Sequence, residues 1–141
     1  MNQIKYYSLK NYKYELAEDY QCLIKIHPIN DLIRPYFTLT RTGVLVIKKG
    51  YMCDGPSGPT IDTHDFIRGA FVHDVLYQCM RLGLLDYKEV RKAADEELYR
   101  LCIEDGMAWW RAGYVYNFVR WFAEDCAKPR TESEIEILTA P

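Results

Sequence analysis

Between Tyr51 and Thr63 the chain carries two glycines and two prolines, and the residues on either side of this segment follow different periods. That change of period constrains the fold more than any other feature, because it separates a β-prone first part from a helical second part. On the N-terminal side, Leu23-Ile24-Lys25-Ile26 stops at Pro28, Tyr36–Thr40 follows Pro35, and Val44–Ile47 follows Gly43. Thr40-Arg41-Thr42-Gly43 has the composition of a hairpin turn, so three or four antiparallel strands are predicted over residues 12–52.

On the C-terminal side the spacing predicts three helices. Asp62 with Asp65 marks a start, and Gly83 suits a left-handed stop after about Leu82. Asp86 with Glu89 opens a second helix, from Tyr87 to Asp105, that Gly106 ends. The short connection predicts an antiparallel hairpin of these two. A third helix is expected over residues 107–127, before Pro129. The class is α+β: a small N-terminal antiparallel sheet and then three helices, in one domain over residues 1–130. Residues 131–141, with Glu132, Glu134 and Glu136, form an acidic tail.

Composition narrows the partners. The 141 residues are 49% hydrophobic, which excludes disordered and collagen-like classes. Eighteen basic and twenty acidic side chains leave a net charge of −2, so no nucleic-acid partner is expected. The N-terminus lacks the apolar core of a secretion signal, and no stretch is apolar enough for a transmembrane segment. Cys22, Cys53, Cys79, Cys102 and Cys126 are widely spaced and never form C-x-x-C, as in a chain made in the cytosol with its thiols reduced.

The third helix has a narrow polar stripe of Gly113, Asn117, Arg120 and Glu124, and most of its other positions are apolar. Two readings are open. The helix lies centrally in the core, or part of its aromatic surface, with Trp109, Trp110, Trp121 and Phe122 as interface residues, docks onto another chain.

Three features carry chemistry. They are the loop Met52–Pro59 with Asp54, the run His73-Asp74-Val75-Leu76-Tyr77 in the first helix, and Ala94-Asp95 in the second. His73 and Tyr77 share a helical face. In the hairpin, Asp95 lies about as far from the turn as His73, so the two could meet. A histidine held by a carboxylate is the arrangement of a general base, with His73, Asp95 and Tyr77 as catalytic candidates. The same pairing also occurs as a satisfied polar tie in a core. Asp74 and Asp54, beside a Gly-rich loop, are the candidate ligands of a hard cation such as calcium.

The His-Asp-x-x-Tyr helix, the preceding Gly-rich loop and an Asp 22 positions after the His resemble phospholipase A2. That resemblance implies that His73 activates water, that Asp74 binds calcium with carbonyls of the loop 51–58, and that Asp95 and Tyr77 support His73. Gly69 and Ala70 stand where that family has paired cysteines. A longer resemblance covers roughly residues 35–125. Met52, Asp54, Gly55, Ser57 and Pro59, then His73, Asp74 and Tyr77, then Ala94 and Asp95, are similar to a family of small phage and prophage proteins of unassigned activity.

Two functions follow as expectations. The first is a bacteriophage virion component, structural or accessory, in the tail or baseplate. It would be made in the host cytoplasm, would pack on other phage structural proteins or on itself, and would carry a hydrolase-like His–Asp site. The alternative is a calcium-type hydrolase of phospholipid ester or cell-envelope substrate, with His73 as general base.

Overall fold

The structure, a computed structural model, describes residues 3–9, 14–53 and 63–129. Asp54, the rest of the glycine–proline loop, Asp62 and the acidic tail lie outside the described residues. Seven short strands precede the helices: β1 (Tyr6–Ser8), β2 (Tyr14–Leu16), β3 (Tyr20–Leu23), β4 (Leu32–Arg34), β5 (Phe37–Leu39), β6 (Val44–Ile47) and β7 (Met52–Cys53). They form two antiparallel sheets, ordered β1-β2-β7 and β3-β6-β5-β4. The helices are α1 (His64–Arg81), α2 (Tyr87–Glu104), α3 (Trp109–Phe122) and the short α4 (Glu124–Ala127). The α+β class predicted from the sequence is the one observed.

Alternation places the sheets. Tyr14 and Leu16, Phe37 and Leu39, and Leu45 and Ile47 are buried, while the residue between each pair is half-buried. Their inner faces meet α1 through aromatic contacts, Phe37 with Tyr51 at 6.5 Å and Tyr51 with Phe71 at 6.4 Å between ring centroids. The strand expected at 23–26 lies instead at Tyr20–Leu23, where Tyr20 pairs with Ile47 and Leu23 with Val44. Beyond Leu23, the Ile24 N–H still donates to the Gly43 carbonyl at 2.8 Å, and the next N–H, that of Lys25, donates instead to the Glu97 carboxylate on α2 at 2.9 Å.

Helix α1 is buried on nearly every side, from Phe66 and Ile67 through Phe71, Val72 and Leu76 to Met80. It packs on α2, α4 and β7 and is the central helix of the described structure. Its N-cap is Thr63, one residue after the Asp62 expected to open it. Both predicted glycine stops are used. Gly83 has φ +76, with the Leu84 N–H on the Cys79 carbonyl at 2.8 Å. Gly106 has φ +98, with the Met107 N–H on the Cys102 carbonyl at 2.9 Å. In both cases a left-handed glycine lets the chain fold back on orphan carbonyls, which makes α1 and α2 an antiparallel hairpin with a short link.

The third helix differs from expectation in length and burial. The long helix expected over 107–127 is divided at Ala123, whose φ of −101° and ψ of 4° leave the helical range. The Arg91 guanidinium donates to the carbonyls of Val119 and Arg120, each at 2.7 Å, in the last turn before the break. Only Ala112, Val115 and Val119 of α3 are buried, so the helix does not lie centrally in the core. Small residues on that face let its backbone sit close to α2, and the large aromatics point elsewhere.

Candidate functional site

Asp95 is the centre of a polar cluster that joins three helices. It is 0% exposed and sits in the middle of α2, in a face shared with Ala94 and Leu98, both fully buried. Its Oδ1 lies 2.7 Å from Nε2 of His73 and accepts a hydrogen bond from the Tyr77 hydroxyl at 2.6 Å. Its Oδ2 accepts from the Arg120 guanidinium at 2.9 Å. The helical spacing of His73 and Tyr77 stacks their rings, with centroids 4.2 Å apart, so both reach one oxygen. Arg91, one turn before Asp95 on α2, donates through Nε to the Tyr77 hydroxyl at 3.1 Å.

Burial of a carboxylate is unfavourable unless its charge is matched. Burial pushes the Asp95 carboxyl up, but the hydrogen bonds from His73, Tyr77 and Arg120 outweigh it and hold the group below its ordinary value. The Tyr77 hydroxyl is raised well above the usual tyrosine value, first by burial and then by the Asp95 charge. No buried side-chain nitrogen or oxygen among the described residues lacks a partner. Asp95 is thus hydrogen-bonded to three side chains, His73, Tyr77 and Arg120, from two other helices.

Of the candidate residues, the structure brings together His73, Tyr77 and Asp95. Asp74 follows His73 on α1, and its charge helps to raise the Tyr51 hydroxyl behind the larger effect of burial. That hydroxyl donates to Gln78 at 2.7 Å. Among the described residues no group of three or more His, Cys, Asp or Glu side chains is arranged to hold a metal ion. The groove of about 600 Å³ lined by Lys25, Glu96, Tyr99, Arg100, Ile103 and Trp109 does not include His73.

Two cluster members were not singled out from the sequence. Arg91 shares a face with Asp95 four residues away, a spacing that already marks it as a partner of the same buried surface. Arg120 belongs to the polar stripe of α3, which points partly inward. The buried Glu97 is a separate tie: it accepts from Lys25 N–H and from the Arg100 guanidinium at 2.8 and 2.9 Å.

The interface candidates all lie outward. Trp109 is 74% exposed, Trp110 64%, Trp121 72% and Phe122 68%, and Tyr114 is exposed as well. Trp110, Tyr114 and Trp121 fall at i, i+4 and i+11, which at 100° per residue is one stripe opposite the buried Ala112, Val115 and Val119. No helix among the described residues is long and apolar enough to cross a membrane. A comparison with protein-family models, curated proteins and solved structures finds no match to this chain.

Proposed function

We propose that this chain is an accessory or structural protein of a bacteriophage particle, in the tail or baseplate, and that it docks on a neighbouring subunit through α3. The observation that carries the reading is the solvent-facing stripe of Trp110, Tyr114 and Trp121, flanked by Trp109 and Phe122. A helix needs only one apolar face to join its own core, and here Ala112, Val115 and Val119 already supply it. Large aromatics on the opposite face gain nothing in the free chain, whereas burying each against a partner contributes roughly 1.5–3 kcal/mol. Aromatic side chains of this kind are enriched in interface cores. The phage setting rests on the resemblance of the Asp54–Pro59, His73–Tyr77 and Ala94–Asp95 motifs to small phage and prophage proteins.

The test places a photo-reactive phenylalanine analogue at Trp121 or, as a control, at the exposed Ile33 on the far sheet. Position 121 is expected to cross-link to one particle subunit while position 33 does not. Equal labelling at both positions would remove the reading.

The cluster geometry favours a second reading, a hydrolase that uses His73 as general base. A carboxylate on Nε2 orients the imidazole and stabilises its charged form, and Tyr77 steadies that carboxylate. Nδ1 then takes a proton from water as the water oxygen bonds to an ester carbonyl carbon. Collapse of the resulting tetrahedral adduct breaks the bond to the alcohol oxygen, which receives the proton from His73. The test incubates the protein with phosphatidylglycerol vesicles and with peptidoglycan, with and without calcium. Fatty acid or soluble fragments released by the wild type but not by His73→Ala support the reading, and an inert wild type overturns it.

A further inference from the structure

We propose that Arg120 is a positioning residue for His73, holding Oδ2 of Asp95 so that Oδ1 accepts the Nε2 proton of the imidazole and the lone pair stays on Nδ1. Donors and acceptors around Asp95 match in only one arrangement. A guanidinium only donates, so Arg120 on Oδ2 requires Asp95 to accept there. Arg91 donates to the Tyr77 oxygen, so the Tyr77 proton is turned toward Oδ1. The Arg120 charge at 2.9 Å favours the ionised Asp95, which has no proton to give, so the contact between Oδ1 and Nε2 at 2.7 Å is satisfied by an N–H on Nε2.

Without Arg120 the arrangement is lost. Asp95 is 0% exposed, and a buried carboxyl that has lost its cation is free to take up a proton. A protonated Asp95 donates to Nε2 instead, which moves the ring proton to Nδ1 and removes the lone pair a general base needs. Arg91 cannot substitute directly, since its guanidinium is engaged by the Tyr77 oxygen and by the carbonyls of Val119 and Arg120. Those two carbonyl contacts hold the end of α3, so Arg91 also fixes the place from which Arg120 reaches Asp95. The groups facing His73 and Asp95 are thus Tyr77 on α1, Arg91 on α2 and Arg120 on α3.

The tautomer follows from the contacts and the Arg120 charge; its consequence for catalysis rests on the hydrolase reading. The test is a long-range proton–nitrogen correlation spectrum of histidine-labelled protein at a pH where the imidazole is neutral, with His73→Gln to assign the signal. The wild type is expected to show one tautomer, protonated on Nε2. Arg120→Met is expected to lose that single state and gain Nδ1–H, and Arg120→Lys to restore it. Should Arg120→Met fail to fold, Arg120→Gln, which keeps a donor but not the charge, carries the same test. A wild-type proton on Nδ1, or an unchanged Nε2–H state in the folded uncharged variant, overturns the proposal. In the vesicle assay kcat of the uncharged variant should fall about tenfold or more with KM little changed. An inert wild type with the tautomer shift intact would remove the hydrolase reading and leave the positioning role. An active wild type with no tautomer shift would do the reverse.

Discussion

His73 on α1 and Asp95 on α2 meet at 2.7 Å although 22 residues of chain separate them, and the contact lies where both helices are buried. Asp95 accepts from three donors there, so its removal orphans His73, Tyr77 and Arg120 together. Breaking a buried pair of this kind by deleting one partner costs about 3–5 kcal/mol. Asp95→Ala should therefore lower the urea midpoint steeply at unchanged slope. A loss under about 1 kcal/mol would show that water or rearrangement satisfies the donors.

The same carboxylate gives a pH dependence with a definite sign. Its folded value lies below the ordinary 3.8, so its contribution is fully present above that value and is lost as pH falls through the lower folded one. The difference in unfolding free energy between wild type and Asp95→Asn should be level near neutrality and close only below about pH 4. A gap that closes nearer neutrality would mean that Asp95 is not held as a low carboxylate.

Two glycines in helices should respond in opposite directions to alanine. A Cβ on Gly69 would stand 2.9 Å from Cδ1 of Leu98 and 3.3 Å from both the Leu98 carbonyl and the Cys102 sulfur. Overpacking of this kind costs about 1–3 kcal/mol and exceeds the roughly 1 kcal/mol of helix propensity that alanine gains. A Cβ on Gly113 meets nothing within 4 Å, so Gly113→Ala should stabilise by about 0.5–1 kcal/mol. Thermal unfolding of the two variants checks the pair.

How far the sequence could be read divides along the length of its signals. The hairpin of α1 and α2 was legible because Gly83, Asp86 and Gly106 mark its ends in local chemistry. β1, β4 and β7 were not, since strands of two or three residues are too short to show a period, and β7 lies inside what reads as loop. The meeting of His73 with Asp95 was legible because a helical hairpin fixes which turns face each other. Arg120 was not, because its place at Asp95 depends on how α3 crosses α2. The burial of α3 was ambiguous for a related reason: alanine and valine on one face do not outweigh tryptophan in any hydropathy pattern, yet they are the residues that reach the core.

Cysteine reactivity should follow burial. Burial pushes the Cys79 and Cys102 thiols up to about 12 and the Cys22 thiol up to about 11, while Cys126 is exposed. Since the thiolate is the reactive form, iodoacetamide near neutral pH should modify Cys126 first in the folded protein. Mass mapping that finds Cys79 or Cys102 labelled at a similar rate would contradict the packing around α1.

The proposed docking role of α3 can be checked by counting copies of the protein in purified particles, by quantitative mass spectrometry, for wild type and for Trp110→Ser combined with Trp121→Ser. Both side chains are mostly exposed, so the variant should fold with a stability within about 0.5 kcal/mol of wild type. A fixed number of wild-type copies per particle is expected, with most of them lost in the folded variant. Absence of the wild type from particles, or full incorporation of the variant, would contradict it.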